Sequence, residues 1–555
     1  MFLSFYRFDA VLYGRVHSSL LAALAGLLCL QVGGVGLFWK PMRHPAGGVL
    51  VWTHKGVIRM DIPHWINGGL YAGQPEGKIE VDDPASGEIR GYLLQASRED
   101  LDYAVGVAVK AQKAWARTSL AKRTEIMYRM RQLVLDHQDE IAKAIVAEHG
   151  KDYSDAIGEI QRGRETLDFA CGINVALKGE TSSNISTGVD IHTLRQPLGV
   201  VSGICPFNFP VMVPMWMHPI AIATGNAFIL KPAPATPSAS LVIARLYKEA
   251  GLPDGVFQVI SGSNDFTMAM IDHPDIRAVS FVGSTPVAKL IQERAVRAGK
   301  RVQALGGANN HAIVMPDADI EFAGKHLSAA AFGAAGERCM ALPVAVAVGG
   351  IGEKLAKAVK EHAELIRVGY GLDEGVQMGP VINAQSKQRI IDAINDAEEK
   401  GAKVILDGRT LRVSGHEKGY FLGPTICTHV PQDSLLYKQE TFGPVLAIVE
   451  VDTYEEAITL VNSSPYGNGA AIFTNDGGLA RRFELEVEAG MVGINVPIPT
   501  PVAYYSFGGW KDSLMGDTHI HGPEGVRFYT RAKATTVRWP SEGTYEATMS
   551  FERTE

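Results

Sequence analysis

The chain has 555 residues, 46% of them hydrophobic and 20% charged, which suits a globular protein of about two to four domains with a large core. Its mild net charge of −7, with no basic stripe interleaved with aromatic residues, leaves no case for a nucleic-acid partner. The five cysteines, Cys29, Cys171, Cys205, Cys339 and Cys427, are odd in number and scattered without a C-x-x-C pair, which argues against a disulfide framework or a zinc site and for a reducing compartment; no metal is expected.

Residues 1–60 differ from the rest. Asp9 is their only acid, against Arg7, Arg15, Lys40, Arg43, Lys55 and Arg59, and Ser18 to Trp39 carries no charge. An acid-poor presequence fits import into an organelle, and a mitochondrial address is the favoured expectation. A membrane anchor fits the uncharged length, although Gln31 and four glycines interrupt it. A secretory signal fits the short apolar run but not the cysteine usage, and an over-extended start would leave a cytoplasmic protein. The segment is set apart from the fold.

From Asp61 the chain reads as folded. IPHWINGGLYAG and IEVDDPASGEIRGYLL alternate apolar and polar residues around turns, as short antiparallel strands do. Apolar residues recur at helical spacing from Arg98 to Glu148, and a further helix is predicted from about Ser154 to Leu177. Strand and helix then alternate. GVVSGIC, NAFILKPA, VFQVISG and AVSFVGS read as strands, and the segments after them as helices, with Pro237 starting one of these and Gly251 following its end. This rhythm predicts a parallel, doubly wound α/β sheet, whose ligands sit at the carboxyl ends of its strands. HAIVMPDADI opens a second α/β unit. The tail GVRFYTRAKATTVRWP reads as a strand that pairs with DIHTLRQPLG near Asp190.

SAAAFGAAGERCMAL, from Ser328 to Leu342, reads as an apolar helix up to Ala335, broken by Gly336, with Glu337 and Arg338 before Cys339. A thiol leaving a helix beside a guanidinium has reason to sit partly as thiolate, the nucleophilic form. Taken alone, the same residues fit an ordinary buried cysteine. Gly283 and Ser284 of FVGST stand at a strand–helix junction whose free N–H groups suit a pyrophosphate, although G-x-G-x-x-G is absent. Lys231 closes a neighbouring strand and can reach a ribose or phosphate. Asn208 of PFNFP offers an amide suited to a developing oxyanion, and equally suited to a turn between prolines.

PFNFP, the ILKP strand end, FVGST, LGG at Leu305, GERCMA, ETFGPV at Glu440 and GINVPIP at Gly493 stand in the order of the aldehyde dehydrogenase superfamily, which the chain resembles from about Ile62 to Trp539. PFNFPVMVPMWMHPIAIATGN, KRVQALGGANNHAIVMPDAD and the SFGGWKDSLMGDTHIHGPEGVRFYTRAK tail resemble its CoA-acylating branch, which acts on methylmalonate and malonate semialdehyde. The resemblance implies NAD as cofactor, CoA as co-substrate and a homotetramer or homodimer. It implies that Cys339 attacks the aldehyde while Asn208 and the Cys339 N–H hold the oxyanion. It implies NAD contacts at Cys205, Phe207, Lys231, Ser284, Gly306 and Glu440, and a substrate carboxylate on Arg162 and Arg338.

Three departures matter. Hydrolytic members carry a general-base Glu where this chain has Ala304, which favours a thiol over water as acyl acceptor. Pro234 and Ala235 replace the Glu and Arg after the ILKP strand, so the usual ligand of the adenosine ribose is missing at Pro234. Asn309 stands where the branch usually has Lys.

The expected organisation is a Rossmann-type NAD-binding domain of residues 61–185 and 199–304, and an α/β catalytic domain of residues 305–495. Oligomerisation strands fall at 186–198 and 526–545, and residues 496–525 return to the active-site rim. The expected reaction is oxidation of the semialdehyde with decarboxylation to propionyl-CoA or acetyl-CoA. A hydrolytic semialdehyde dehydrogenase of other specificity and a non-catalytic nucleotide-binding relative are the alternatives.

Overall fold

The structure, a computed structural model, describes residues 60–539. The expectation for residues 1–60 falls outside them but for Met60, as does the end of segment 526–545.

Five strands form the parallel centre of an eight-stranded sheet. Their spatial order is Arg301–Leu305, Ile276–Val282, Val200–Ile204, Ala227–Lys231 and Phe257–Val259. Helices cover both faces, so these strands are short apolar runs; Val200–Ile204 and Ala227–Lys231 are buried at every residue. Leu514–Met515 closes one edge antiparallel, and the hairpin His64–Ile66 with Gly69–Tyr71 closes the other. From Val200–Ile204 the chain builds outward to Phe257–Val259, then crosses back to lay Ile276–Val282 on the other side of its starting strand. That reversal makes a crevice at the carboxyl ends of the central strands.

The helical stretch expected from Arg98 to Glu148 resolves into Arg98–Trp115, Leu120–Asp136 and Gln138–His149. Ser97 and Asp100 start the first with a reciprocal capping box. Met212–Ala223 is buried on all sides, and its last carbonyls lie away from water. Trp115 Nε1 donates to Ile222 O at 2.8 Å and Arg123 Nη1 to Ala223 O at 2.8 Å, so side chains of two other helices close this end.

A second sheet runs in the order Lys403–Leu406, Thr425–Thr428, Val445–Val451, Val344–Val348, His311–Val314, Gly469–Phe473 and Met491–Ile494, parallel except at the first edge. The tail strand Thr530–Arg538 pairs antiparallel with Val189–Pro197 along its whole length, the pairing expected from the sequence, and Thr181–Ser186 adds a third strand.

Two boundaries differ from expectation. The tail, read as a strand from Gly525, is helical over Gly522–Tyr529, and the strand is Thr530–Arg538. The helix before Cys339 spans Ile320–Phe332 and stops three residues short of Ala335. Ala334, Ala335 and Gly336 turn left-handed instead, with φ of 50°, 52° and 72°. Alanine's helix preference loses to the need to reverse the chain toward the site.

Candidate active site

The carboxyl edge of the first sheet gathers most of the residues expected to meet a dinucleotide. Ile204 lies in register with both Phe281 and Lys231, and Val282 with Leu305, so Cys205, Lys231, Ser284 and Gly306 all leave the sheet at one end. Cys205 is buried with its Sγ 3.7 Å from Met217 Sδ, and its backbone N–H donates to Lys231 O at 3.1 Å. Lys231 is buried, and its ammonium has no hydrogen-bond or ion-pair partner among the described residues; burial pulls it down to about 8. A desolvated cation without an anion at a sheet's carboxyl end fits a phosphate or ribose ligand. Ser284 is the N-cap of helix Thr285–Arg297 and makes no side-chain cap bond, which leaves that helix's first N–H groups open.

Glu440 reaches this edge from the second unit. Its carboxylate accepts from the Ala308 N–H, and a methyl at Gly307 would stand 2.5 Å from its Oε2, so the bare glycine backbone lets it approach. Burial raises its carboxyl to about 7. Phe442, two residues on, packs its ring edge-on to Phe207 at 5.8 Å. Asn309 donates to Tyr437 O at 2.8 Å and ties the same loop down. Pro234 lies in the turn before helix Ser238–Glu249. The carboxylate at that helix start is Glu148, which accepts from Ser238 N at 2.9 Å.

Cys339 follows the left-handed turn. Gly336 is required there by its φ and by space: a methyl would stand 2.0 Å from Gly443 O. Four bonds then fix the cysteine's backbone. Asn208 Nδ2 donates to Glu337 O at 2.9 Å; Asn310 Nδ2 donates to Cys339 O at 2.9 Å and Ala341 O at 2.8 Å; Asn468 Nδ2 donates to Cys339 O at 3.1 Å. One Asn208 amide hydrogen is used in this anchor, and the second has no acceptor among the described residues.

The thiol is half-buried, and it is not the thiolate expected from its neighbour. Desolvation and then the Glu440 carboxylate push it up to about 12, outweighing the opposite pull of nearby N–H groups and of Arg338. The guanidinium of Arg338 is already paired with Asp155. Arg162 is likewise engaged: Nη1 meets both Glu165 oxygens at 3.0 Å, and Nη2 meets Thr500 O at 2.9 Å and Pro501 O at 3.3 Å. Each arginine expected at the substrate carboxylate thus has a resident carboxylate from helix Tyr153–Cys171.

Behind the site lies a buried charge network that motif reading passed over. Lys151 Nζ donates to Asn208 O at 2.7 Å and Glu159 Oε2 at 2.8 Å, stands 3.8 Å from Asp155 Oδ2, and lies 4.2 Å from the Phe209 ring centre. Glu159 Oε1 accepts from Val211 N at 2.8 Å and Met212 N at 3.1 Å. One lysine therefore holds the oxyanion residue directly and meets, through Asp155, the arginine beside Cys339. Glu337 and His149 form a second buried pair 3.8 Å apart, with burial raising the Glu337 carboxyl to about 8 and depressing His149. The available signal was spacing: Asp155, Glu159 and Arg162 at i, i+4 and i+7 put three charges on one helix face. Ala304 is fully buried in register with Phe281 and Met515, so the strand leading to LGG brings no carboxylate there.

The aldehyde dehydrogenase family profile matches residues 71–535. Malonate-semialdehyde dehydrogenase of Pseudomonas aeruginosa is 47% identical over 487 residues, covering 88% of this chain and 98% of its own. That of Geobacillus thermodenitrificans is 48% identical over 474 residues, covering 85% and 98%. Among solved structures, methylmalonate-semialdehyde dehydrogenase of Oceanimonas doudoroffii superposes with a TM-score of 0.86 at 49% identity, covering 87% of this chain and 99% of its own. A candidate methylmalonate-semialdehyde dehydrogenase of Sinorhizobium meliloti, in complex with NAD, superposes with a TM-score of 0.87 at 45% identity, covering 88% and 99%. The chain belongs to the aldehyde dehydrogenase family and has its fold. These relatives are bacterial, and bacteria have no mitochondria, which overturns the mitochondrial address expected for residues 1–60. Among the described residues no helix is long and apolar enough to cross a membrane.

Proposed function

We propose that this aldehyde dehydrogenase oxidises malonate semialdehyde and methylmalonate semialdehyde with NAD, releases CO₂, and passes the acyl group to CoA. The observation that carries this reading is Cys339 itself. It is half-buried and follows Arg338, Asn208 donates to the carbonyl of Glu337 two residues before it, and the residue preceding LGG is the buried Ala304 rather than a base. The family relatives named for these two substrates support it.

Cys339 gives up its proton to solvent, and its sulfur bonds to the aldehyde carbon as the C=O electron pair moves onto the oxygen. Asn208 Nδ2 and the Cys339 N–H receive the oxyanion, and Arg338 orients the substrate carboxylate after exchanging Asp155 for it. NAD, when bound, supplies the hydride acceptor for this step; Lys231, Ser284, Phe207 and Glu440 would hold it, with Cys205, Gly306 and Pro234 close to it. Cys339 is then a thioester. Its carbonyl takes up the electron pair as the carbon–carbon bond to the carboxylate breaks, and a proton replaces CO₂. The CoA thiolate attacks the same carbonyl, and Cys339 leaves as thiolate. The products, acetyl-CoA and propionyl-CoA, suit the breakdown of pyrimidines and valine. Within this reading the two sheets are the NAD-binding and catalytic domains, and the Thr530–Arg538 sheet joins subunits of a dimer or tetramer.

Glu440 favours a second reading. A carboxylate near neutrality that acts on the thiol could activate water and make the enzyme hydrolytic. NADH formation from malonate semialdehyde, followed with and without CoA, separates them. The acylating reading predicts steady turnover only with CoA and acetyl-CoA as product; equal turnover without CoA, giving free acid, would refute it.

A further inference from the structure

A cleft of about 360 Å³ lies between the first turns of helix Ala384–Glu399 and the loop of residues 411–421. Three cations line it: Lys387 from the helix, and Arg412 and Lys418 from the loop. None of the three has a carboxylate partner among the described residues. Glu417, the one acid in the lining, turns its Oε1 to Gly415 N at 2.9 Å. Other cations of the same unit differ: Lys400 pairs with Asp396 at 2.9 Å and Arg409 with Asp407 at 2.7 Å and Glu398 at 2.9 Å, while Arg389 gives its Nη1 to Thr441 O at 2.6 Å. Lys387 is half-buried, and its ammonium is drawn down by burial and by the like charge of Arg412. His416 directs Nδ1 to Ala85 O at 3.2 Å and stacks on Tyr370, which leaves its Nε2 for a ligand.

Lys387 is half-buried and Arg412 and Lys418 are exposed at the cleft's rim; like charges gathered around one concavity raise the free energy of the empty protein, and an anion relieves it. Three cations exceed what one carboxylate neutralises, and the guanidinium fork matches the oxygens of a phosphate. The volume lies in the range of small-molecule sites. We propose that this cleft is an anion site that takes the phosphate group of a small molecule, with Lys387, Arg412 and Lys418 as its cationic wall. Two sources share that chemistry: the ribose phosphate of CoA, an assignment that rests on the proposed function, and a free phosphorylated metabolite.

The test uses the full-length protein and its Lys387→Ala/Arg412→Ala variant, titrated calorimetrically with inorganic pyrophosphate while NAD in excess fills the dinucleotide edge. Saturable binding to the wild type, weakened about tenfold or more in the variant and falling with salt, supports the site. Absence of saturable binding, or equal Kd in both proteins, overturns it. Steady-state KM for CoA against dephospho-CoA then separates the sources. A wild-type preference for CoA that vanishes in the variant assigns the phosphate to CoA. Equal KM values beside intact pyrophosphate binding assign it to a free metabolite. Failure of the acylating reading would appear as turnover indifferent to CoA in both proteins and leaves the calorimetric result standing.

Discussion

Replacing Lys151 by Met tests whether one buried cation holds the oxyanion residue. Lys151 is fully buried and, among the described residues, is the only side-chain cation on Glu159 and the only hydrogen-bond donor to the Asn208 carbonyl, at 2.8 and 2.7 Å. Methionine fills a similar volume and removes both bonds. Breaking a buried ion pair from one side costs about 3–5 kcal/mol, and a carbonyl left unpaired about 1–3 kcal/mol, so a loss near the top of the first range is expected. Part of it depends on pH. Burial already raises the Glu159 carboxyl above the ordinary 4.5, and without Lys151 it rises further. The folded variant then holds a proton that the unfolded chain releases, so its stability falls as pH rises above about 4.5. Wild-type stability falls over the same range as far as its own Glu159 is raised, so the deficit in urea unfolding reflects the further rise in the variant and is larger at high pH than at low pH. Asn208, no longer held, loses its aim at the oxyanion, and kcat per active site falls about a hundredfold or more. The Lys151→Met/Glu159→Gln pair removes both charges, keeps an oxygen for the Val211 and Met212 N–H groups, and restores most of the stability but not kcat. A pH-independent deficit, or a single variant with wild-type kcat per titrated site, would refute the reasoning.

Three further outcomes follow from the same geometry. Glu440→Gln removes a negative neighbour and lowers the Cys339 pKa, so iodoacetamide alkylation speeds up severalfold at pH 8; near pH 5.5, where Glu440 is protonated below its value of about 7, the two proteins react alike, and an equal ratio at both pH values would reject the coupling. Arg338→Leu raises KM for malonate semialdehyde about tenfold or more and changes KM for propanal little; equal effects on both substrates would remove Arg338 from carboxylate recognition. Gly336→Ala meets both a φ of 72° and Gly443 O at 2.0 Å, so it lowers Tm and activity together, with about 1–3 kcal/mol from the backbone alone; an unchanged Tm would show that the turn can reshape.

The parts of the site that sequence revealed share a cause. Short apolar runs ending in Ile204, Lys231, Val282 and Leu305 specify a parallel sheet, and such a sheet has one ligand-binding edge, so residues just past those positions converge without any knowledge of their contacts. The tail strand was legible for a similar reason, because one long extended run needed a partner and the Asp190 segment offered one. What remained hidden is set by contacts distant in the chain. Arg338 reads from its neighbours as an activator of Cys339, yet it is spent on Asp155, 183 residues away, and the thiol answers to burial and to Glu440.

If Arg338 holds the substrate carboxylate as proposed, this pairing changes how the site selects substrate. A free arginine would attract any anion that entered. An arginine already paired is won only by a carboxylate placed well enough to displace Asp155, and Asp155 has somewhere to go, since Lys151 stands 3.8 Å from its Oδ2. Lys151 also holds Asn208, so the exchange and the oxyanion donor share one cation. In the proposed reaction the substrate's far end is thereby tested on the same network that positions the group acting at its near end. A semialdehyde of the right length would engage both, and an aldehyde without the carboxylate would leave Asp155 on Arg338.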